Sequence, residues 1–320
     1  MDALSEILRI ARLSSGIFLR GEFSEPFRLT SRLKASNCSP HLGPSDHLIL
    51  FHFVLEGRLN VELENGGRAE FIAGEAVVLP RNDPHRLRGE GEATAVMAQD
   101  VLRIPGPGEL MAIEHGGGGA RTRIICGFLG GKGLGGDPLL SALPAMFKYD
   151  STTPHSGAFV AATLDAADRE VREGRAGSQA ILARISELLF VEAVRHHLEN
   201  LSDDSDGWLG ALRDVSVSKA LAVMYRAPHE NWTVERLGEV VGASRSNLST
   251  KFVRYLGHGP GECLTKVRMQ LAARDLLLSR KNIAEIAERV GYGSEAAFSR
   301  AFKREQGMAP SAWRASSVQK

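Results

Sequence analysis

Thr233-Val-Glu-Arg-Leu-Gly-Glu-Val-Val-Gly242-Ala-Ser244-Arg-Ser-Asn-Leu248-Ser249-Thr-Lys-Phe252, closed by Gly257-His-Gly-Pro260, is written a second time further along the chain. The second copy is Asn282-Ile-Ala-Glu-Ile-Ala-Glu-Arg-Val-Gly291-Tyr-Gly-Ser294-Glu-Ala-Ala-Phe298-Ser299-Arg-Ala-Phe302, closed by Gly307-Met-Ala-Pro310. Val234, Leu237, Glu239, Val241 and Gly242 match Ile283, Ile286, Glu288, Val290 and Gly291 at one offset. Ser244, Leu248, Ser249, Phe252, Gly257 and Pro260 match Ser294, Phe298, Ser299, Phe302, Gly307 and Pro310 one residue further on, so the single insertion falls in the turn. Each copy predicts a short helix, a glycine able to take positive φ at its end, and a second helix opened by a serine N-cap. Leu248 and Phe252, four apart, set one apolar stripe against Val234, Leu237 and Val241, and Phe298 and Phe302 do the same in the second copy. This is helix-turn-helix architecture, whose second helix enters the DNA major groove.

Charge agrees with that reading once it is divided by position. The 320 residues carry 39 Lys+Arg and 38 Asp+Glu, a net of +1 that by itself suggests no attraction to nucleic acid or membrane. Residues 209–320 hold 18 basic and 10 acidic side chains, a balance of +8, which leaves 21 against 28, or −7, on the first 208. A basic end on an acidic body is the asymmetry expected when one domain meets phosphate.

Leu221–Trp313 resembles the DNA-binding domain of the AraC/XylS family of bacterial transcriptional regulators. The residues that carry the resemblance are Leu237–Gly242 and Ser249–Phe252 in the first copy, with Ile283–Tyr292, Phe298–Lys303, Gly307 and Pro310 in the second. It implies two subdomains joined by a helix over Pro260–Ser279, each placing its second helix in successive major-groove segments on one face of promoter DNA. Helical geometry then nominates base readers at positions turned away from the apolar stripe: Arg245, Ser246, Ser249 and Thr250, and Glu295, Ala296, Ser299 and Arg300. Arg300 suits a guanine edge and Glu295 a cytosine amine. Lys251, Arg254, Lys303 and Arg304 lie further along and are expected at phosphate.

Upstream of this region the pattern is β-like. Short apolar runs at His47–Leu55, Leu59–Leu63, Ala69–Ile72, Ala76–Leu79, Thr94–Ala98 and Thr122–Cys126 are separated by turns such as Glu64-Asn65-Gly66-Gly67, and predict an antiparallel barrel or jelly roll. The glycine tracts His115–Gly119 and Gly130–Gly136 read as loops. Beyond Pro144 the period becomes helical. One apolar stripe runs through Phe159, Leu164, Ala167 and Val171, and a denser one on Ser178–Leu201 would face two neighbours, either within the monomer or in a second subunit. The fold class is thus α+β with two domains. Residues 1–150 form a cupin-like sensing domain, 151–202 a helical linker or dimerisation segment, and 209–320 the DNA-binding domain with its motifs at 233–257 and 282–307.

Gly74-Glu-Ala-Val-Val-Leu-Pro80-Arg-Asn-Asp-Pro-His85 resembles the second cupin motif, with Asn82 where glycine is common. The first cupin motif is degenerate. The resemblance is to the cupin domain found in one branch of the same regulator family, where His52 and Cys126 also stand at positions that carry histidine and cysteine. If His52, His85 and Cys126 all face the barrel interior, with Cys38 as a further candidate, they form a set suited to zinc, with iron as second choice. The alternative is a pair of hydrogen-bonded barrel histidines beside a small buried thiol.

These readings describe a regulator that binds double-stranded DNA, senses a small effector or a metal, forms a homodimer and has RNA polymerase as a candidate partner. The competing class is a metal-dependent cupin enzyme, a dioxygenase or isomerase, with an accessory helical domain. No nucleophile elbow, phosphate loop or paired metal histidines support it. Three scattered cysteines, a non-basic start and no apolar stretch of about 20 residues point to a cytoplasmic protein with no signal peptide or membrane span.

Overall fold

The computed structural model describes residues 2–11, 13, 18–34, 45–103, 111–134, 136–152, 157–173, 175–202 and 204–316. Cys38 lies outside them. The chain opens with α1 (Ala3–Ala11), followed by β1 (Phe18–Ser24), β2 (Arg28–Ser31), β3 (His47–Glu56), β4 (Arg58–Leu63), β5 (Arg68–Ile72), β6 (Glu75–Leu79) and β7 (His85–Arg88). Next come β8 (Val96–Met97), β9 (Leu102–Arg103), β10 (Met111–Gly116), β11 (Arg121–Gly131), α2 (Pro138–Ala142), β12 (Phe147–Asp150), α3 (Gly157–Glu173) and α4 (Ser178–Glu199). The remainder is helical: α5 (Gly207–Arg213), α6 (Val215–Arg226), α7 (Val234–Val241), α8 (Arg245–Leu256), α9 (Pro260–Leu278), α10 (Ile283–Arg289), α11 (Glu295–Gln306) and α12 (Pro310–Ser316). No helix among the described residues is long and apolar enough to cross a membrane.

Contacts divide the chain into two compact units. One is Leu13–Gly131 with Leu143–Asn200, and the other is Met1–Arg12, Lys132–Ala142 and Leu201–Lys320.

The first unit has a seven-stranded sheet in the order β12-β6-β3-β11-β1-β10-β9 and a five-stranded sheet in the order β5-β4-β7-β2-β8. Their inner faces share one apolar core that includes Phe23, Phe27, Leu50, Val54, Val61, Phe71, Val77, Leu79, Ile124 and Phe128. Strand β3 explains its own unbroken apolar run. Leu48, Leu50 and Val54 enter that core, while Phe51 and Phe53 on the opposite face lie with Tyr149, Leu189, Phe190 and Ala193 under α4. A strand buried on both faces loses the alternation that marks a half-exposed one. Strand β7 and the parallel β1–β10 pair escape the sequence reading because they are short or fall in tracts rich in Gly and Pro. The first glycine tract is partly strand, since His115 and Gly116 end β10, and Gly130 and Gly131 likewise end β11.

Helices α3 and α4 pack within this unit, α4 against α3 and against β11 and β12, which accounts for its two apolar faces. Phe147 and Tyr149 meet His197 and His196 at ring distances of 4.7 and 5.3 Å. Of the predicted stripe on α3, Leu164 and Ala167 are buried as expected, whereas Phe159 is 54% exposed and its neighbour Val160 is buried in its place.

The second unit is not the continuous 209–320 segment expected from sequence. Helix α1 packs on α6, burying Ala3, Ile7 and Ala11, and its buried Glu6 meets Arg9 at 2.7 Å and Arg226 at 3.5 Å. Asp137 caps α2 by accepting from Leu139 N and Leu140 N at 3.0 and 3.2 Å, and its other oxygen accepts from Gln270 of α9 at 3.2 Å. Arg274 of α9 donates to the Ala11 carbonyl at 2.6 Å. Both segments were assigned by sequence to residues 1–150, because an amphipathic helix shows that it needs a partner but not which one.

The Ile7 side chain is 2% exposed, so Ile7→Ala should destabilise the helical unit by about 2–5 kcal/mol. Denaturant unfolding followed by hydrogen exchange of α6 checks this; unchanged protection would show that α1 is dispensable there. A 209–320 fragment, lacking α1 and α2, should melt below the same helices in the whole chain.

Candidate nucleic-acid interface and barrel core

Each helix-turn-helix is built from its caps inward. Thr233 accepts from Arg236 N at 3.2 Å to start α7, which ends at Gly242 with φ +70°, and Ser244 accepts from Asn247 N at 3.3 Å to start α8. In the second copy Asn282 and Glu285 form a reciprocal capping box, Gly291 has φ +84°, and Ser294 accepts from Ala297 N at 3.3 Å. Gly238 is a requirement that the repeat did not disclose: a Cβ there would lie 2.6 Å from the Ala243 carbonyl oxygen, so the turn closes only over hydrogen. Leu237, Leu248, Phe252, Ile286, Ala287, Val290, Phe298 and Phe302 are all buried, as the stripes predict. The Phe298, Phe302 and Trp313 rings contact one another in series at 5.5 and 5.8 Å.

With those stripes inward, the candidate base readers face outward. Arg245, Ser246, Thr250, Glu295, Ala296 and Arg300 are exposed, and Ser249 and Ser299 are half-buried at the edge of the packing. The basic candidates divide into two groups. Arg245 is paired with Glu235 at 2.9 Å, Arg254 with Asp206 at 3.1 Å and Arg304 with Glu305 at 3.2 Å, all at exposed sites. Lys251 reaches Asp214 at 2.8 Å, and that carboxylate also caps α6 by accepting from Ser216 N and Val217 N, both at 3.0 Å. Lys251 therefore braces α8 against the start of α6, a role invisible to a reading that knew only its helical position. Arg300 and Lys303 are exposed and have no ion pair among the described residues. Arg268, not singled out by sequence, is half-buried and donates to the Pro228 and Glu230 carbonyls at 2.7 and 3.0 Å.

The barrel brings His52, His85 and Cys126 together. His52 and Cys126 are direct cross-strand partners on β3 and β11, and His85 approaches from the other sheet. His52 Nδ1 is 2.8 Å from Cys126 Sγ, His52 Nε2 is 2.9 Å from His85 Nε2, and His85 Nδ1 is 2.8 Å from the Asp83 carbonyl oxygen. That last oxygen only accepts, so His85 carries its proton on Nδ1 and, when neutral, presents a bare Nε2. His52 must then donate from Nε2, leaving its Nδ1 to accept from the Cys126 thiol. One all-neutral arrangement satisfies every group, and burial enforces it. Desolvation, followed by the neighbouring His85, holds His52 well below the usual imidazole value. Desolvation brings His85 down to about 4 against the opposing pull of Asp83, and it pushes the Cys126 thiol well up.

In this arrangement the three side chains meet in series rather than at one point. The two nitrogens of an imidazole point away from each other, so an ion on His52 Nε2 and His85 Nε2 is out of reach of Cys126, which sits at Nδ1. Among the described residues no group of three or more His, Cys, Asp or Glu side chains is placed to hold a metal.

A cupin family model matches residues 2–199, and a helix-turn-helix domain model matches residues 237–316. The chain is 34% identical to an AraC-like transcription regulator of Streptomyces antibioticus over 98% of both chains, and 35% identical to one of Streptomyces lividans over 73% of both. The chain belongs to the AraC family of transcriptional regulators. A third relative, the HTH-type transcriptional regulator AlkR of Acinetobacter baylyi, is 29% identical over 98% of this chain and 99% of its own. An AraC-type protein with a cupin domain and two helix-turn-helix motifs is a regulator that binds double-stranded DNA, not a cupin enzyme.

The neutral histidine chain makes the AraC-type barrel sensitive to acid. Below an unfolded-state value of about 6.5 the unfolded chain takes up protons that folded His52 and His85 refuse, so stability present above that pH is lost as pH falls toward about 4. The His85 share is on the order of 3 kcal/mol. Urea unfolding of metal-free protein between these limits should show the loss, and His85→Gln should flatten it; equal slopes in the two proteins would reject the assignment.

Proposed function

We propose that this AraC-type regulator reads promoter sequence through α8 and α11 and adjusts that reading to a small effector taken up by its cupin domain. The observation that carries the reading is the outward-facing start of α11, where Glu295 and Ala296 are exposed together with the Arg300 guanidinium and the Lys303 ammonium, neither of which has an ion pair among the described residues. Cations without carboxylate partners are available to DNA at no cost in broken pairs. Arg245, Arg254 and Arg304 exchange exposed ion pairs worth little for phosphate contacts. Ser246, Ser249, Thr250 and Ser299 complete the base-facing set.

The regulator works as a homodimer in the cytoplasm, with RNA polymerase as a partner at the promoter. The exposed Phe159 on α3 and Ile181 on α4, at 54% and 45%, support a dimer surface on these helices. Zinc, or iron as second choice, enters this proposal only at the facing Nε2 atoms of His52 and His85, with the remaining positions left to water or effector.

Gel-shift titrations over a salt series test the DNA reading. Arg300→Ala should cost about 1–3 kcal/mol and relax preference at one base pair. Lys303→Ala should weaken all sequences alike and lower the salt slope by about 1. Unchanged affinity in both variants would overturn the assignment of α11. For the metal, elemental analysis of protein purified without an affinity tag should give about one ion per chain, lost in His85→Ala; metal-free protein of undiminished stability would reject it.

A further inference from the structure

We infer that the outer face of the smaller sheet carries an oxyanion site, built on Arg28 and Arg88 and suited to a small molecule bearing a carboxylate or phosphate. The site is independent of the DNA reading and of the histidine chain. Strands β2 and β7 pair antiparallel with Arg28 directly opposite Arg88 and Thr30 opposite Arg86. Leu29, Leu87 and His85 point into the barrel, so alternation turns Arg28, Arg86 and Arg88 outward.

Like charges directly opposite each other across two strands oppose folding unless something neutralises them. The chain itself supplies little. Glu62 Oε1 lies 3.4 Å from Arg88 Nη1 and is shared with Arg68 Nη2 at 3.9 Å. Arg28 has no ion pair among the described residues. The Nε atoms of both Arg28 and Arg88 are buried and make no hydrogen bond. One N–H of each guanidinium is thus buried without an acceptor, a cost that a bound oxyanion can remove while the rest of each half-exposed side chain stays open to a ligand.

The same two arginines line a cavity of about 610 Å³, walled by Phe27 below and by Gly91, Glu92 and Thr94 from the loop after β7. That volume falls within the range of small-molecule pockets, about 300–1,000 Å³, which favours an organic acid or phosphate ester over a bare ion. Guanidinium forks bind both kinds of group through paired N–H donors. Of the neighbouring carboxylates, Glu62 is committed to Arg88 and Arg68. Exposed Glu92 lines the cavity as well, and counted with Glu62 against Arg28, Arg68, Arg86 and Arg88 it leaves a local excess of positive charge.

Calorimetric titration of the full chain at constant ionic strength tests the site, using phenyl phosphate, benzoate and inorganic phosphate, with benzyl alcohol as the neutral control. At least one of the three oxyanions should saturate one site per chain while benzyl alcohol does not bind. Affinity should fall about tenfold or more in Arg28→Gln and in Arg88→Gln, and stay unchanged in Arg184→Gln, which alters an exposed arginine of α4. Tighter binding of phenyl phosphate or benzoate than of inorganic phosphate assigns the site to an organic ligand; the reverse order assigns it to the free ion, against the proposal. Arg28→Lys keeps the charge but not the fork, and weakened binding in that variant upholds the site if Arg28→Gln does not fold. Absence of saturable oxyanion binding, or equal affinity in the wild type and both glutamine variants, overturns it.

Discussion

Helix α9 buries Cys263, Leu264, Val267, Met269, Leu271, Ala272, Ala273 and Leu276, positions spread over most of its circumference, so it needs cover from several neighbours at once. Each neighbour in the helical unit answers part of that demand. Helices α6 and α8 of the first half and α10, α11 and α12 of the second all pack on it, and Trp313 Nε1 donates to its Ala273 carbonyl at 3.1 Å. The two helix-turn-helix motifs are therefore mounted on a single buried rod. Their spacing is a property of that rod, not of a flexible joint.

The same helix brings in the segments that sequence order would place elsewhere. Gln270 and Arg274 are two of its half-buried polar residues, and each finds a partner. Gln270 accepts from Tyr225 Oη at 2.8 Å and donates to Asp137, while Arg274 takes the Ala11 carbonyl. Residues 132–142 follow directly on β11, the strand that carries Cys126, and residues 3–11 precede β1. Two barrel strands are thus continuous in the chain with segments that complete the helical unit.

In the barrel the constraint is satisfaction of polar groups in an apolar core. His52, His85 and Cys126 were legible as a set through the cupin resemblance, on the condition that all three face the interior. Their order along the hydrogen-bond chain was not legible. Sequence periodicity says that three side chains face one interior, but the register that sets Cys126 opposite His52 decides that the thiol meets Nδ1 and leaves Nε2 to His85. A one-residue slip would have turned the pair to opposite faces.

By itself the sequence determined the local elements and their repetition. The caps at Thr233, Ser244, Asn282 and Ser294, the positive-φ glycines at 242 and 291, the two apolar stripes and the hairpin turns all follow from interactions within a few residues, which a linear pattern records. Only the tertiary structure decided which surfaces meet. Lys251 looks like any outward lysine of a recognition helix until Asp214 arrives from another helix, and Arg28 looks like a solvated strand residue until β7 places Arg88 across from it. An apolar face announces that it must be covered, but many faces are equally able to cover it. The choice of α1 for α6 is made by the simultaneous packing of the whole unit, and no stretch of residues carries that information alone.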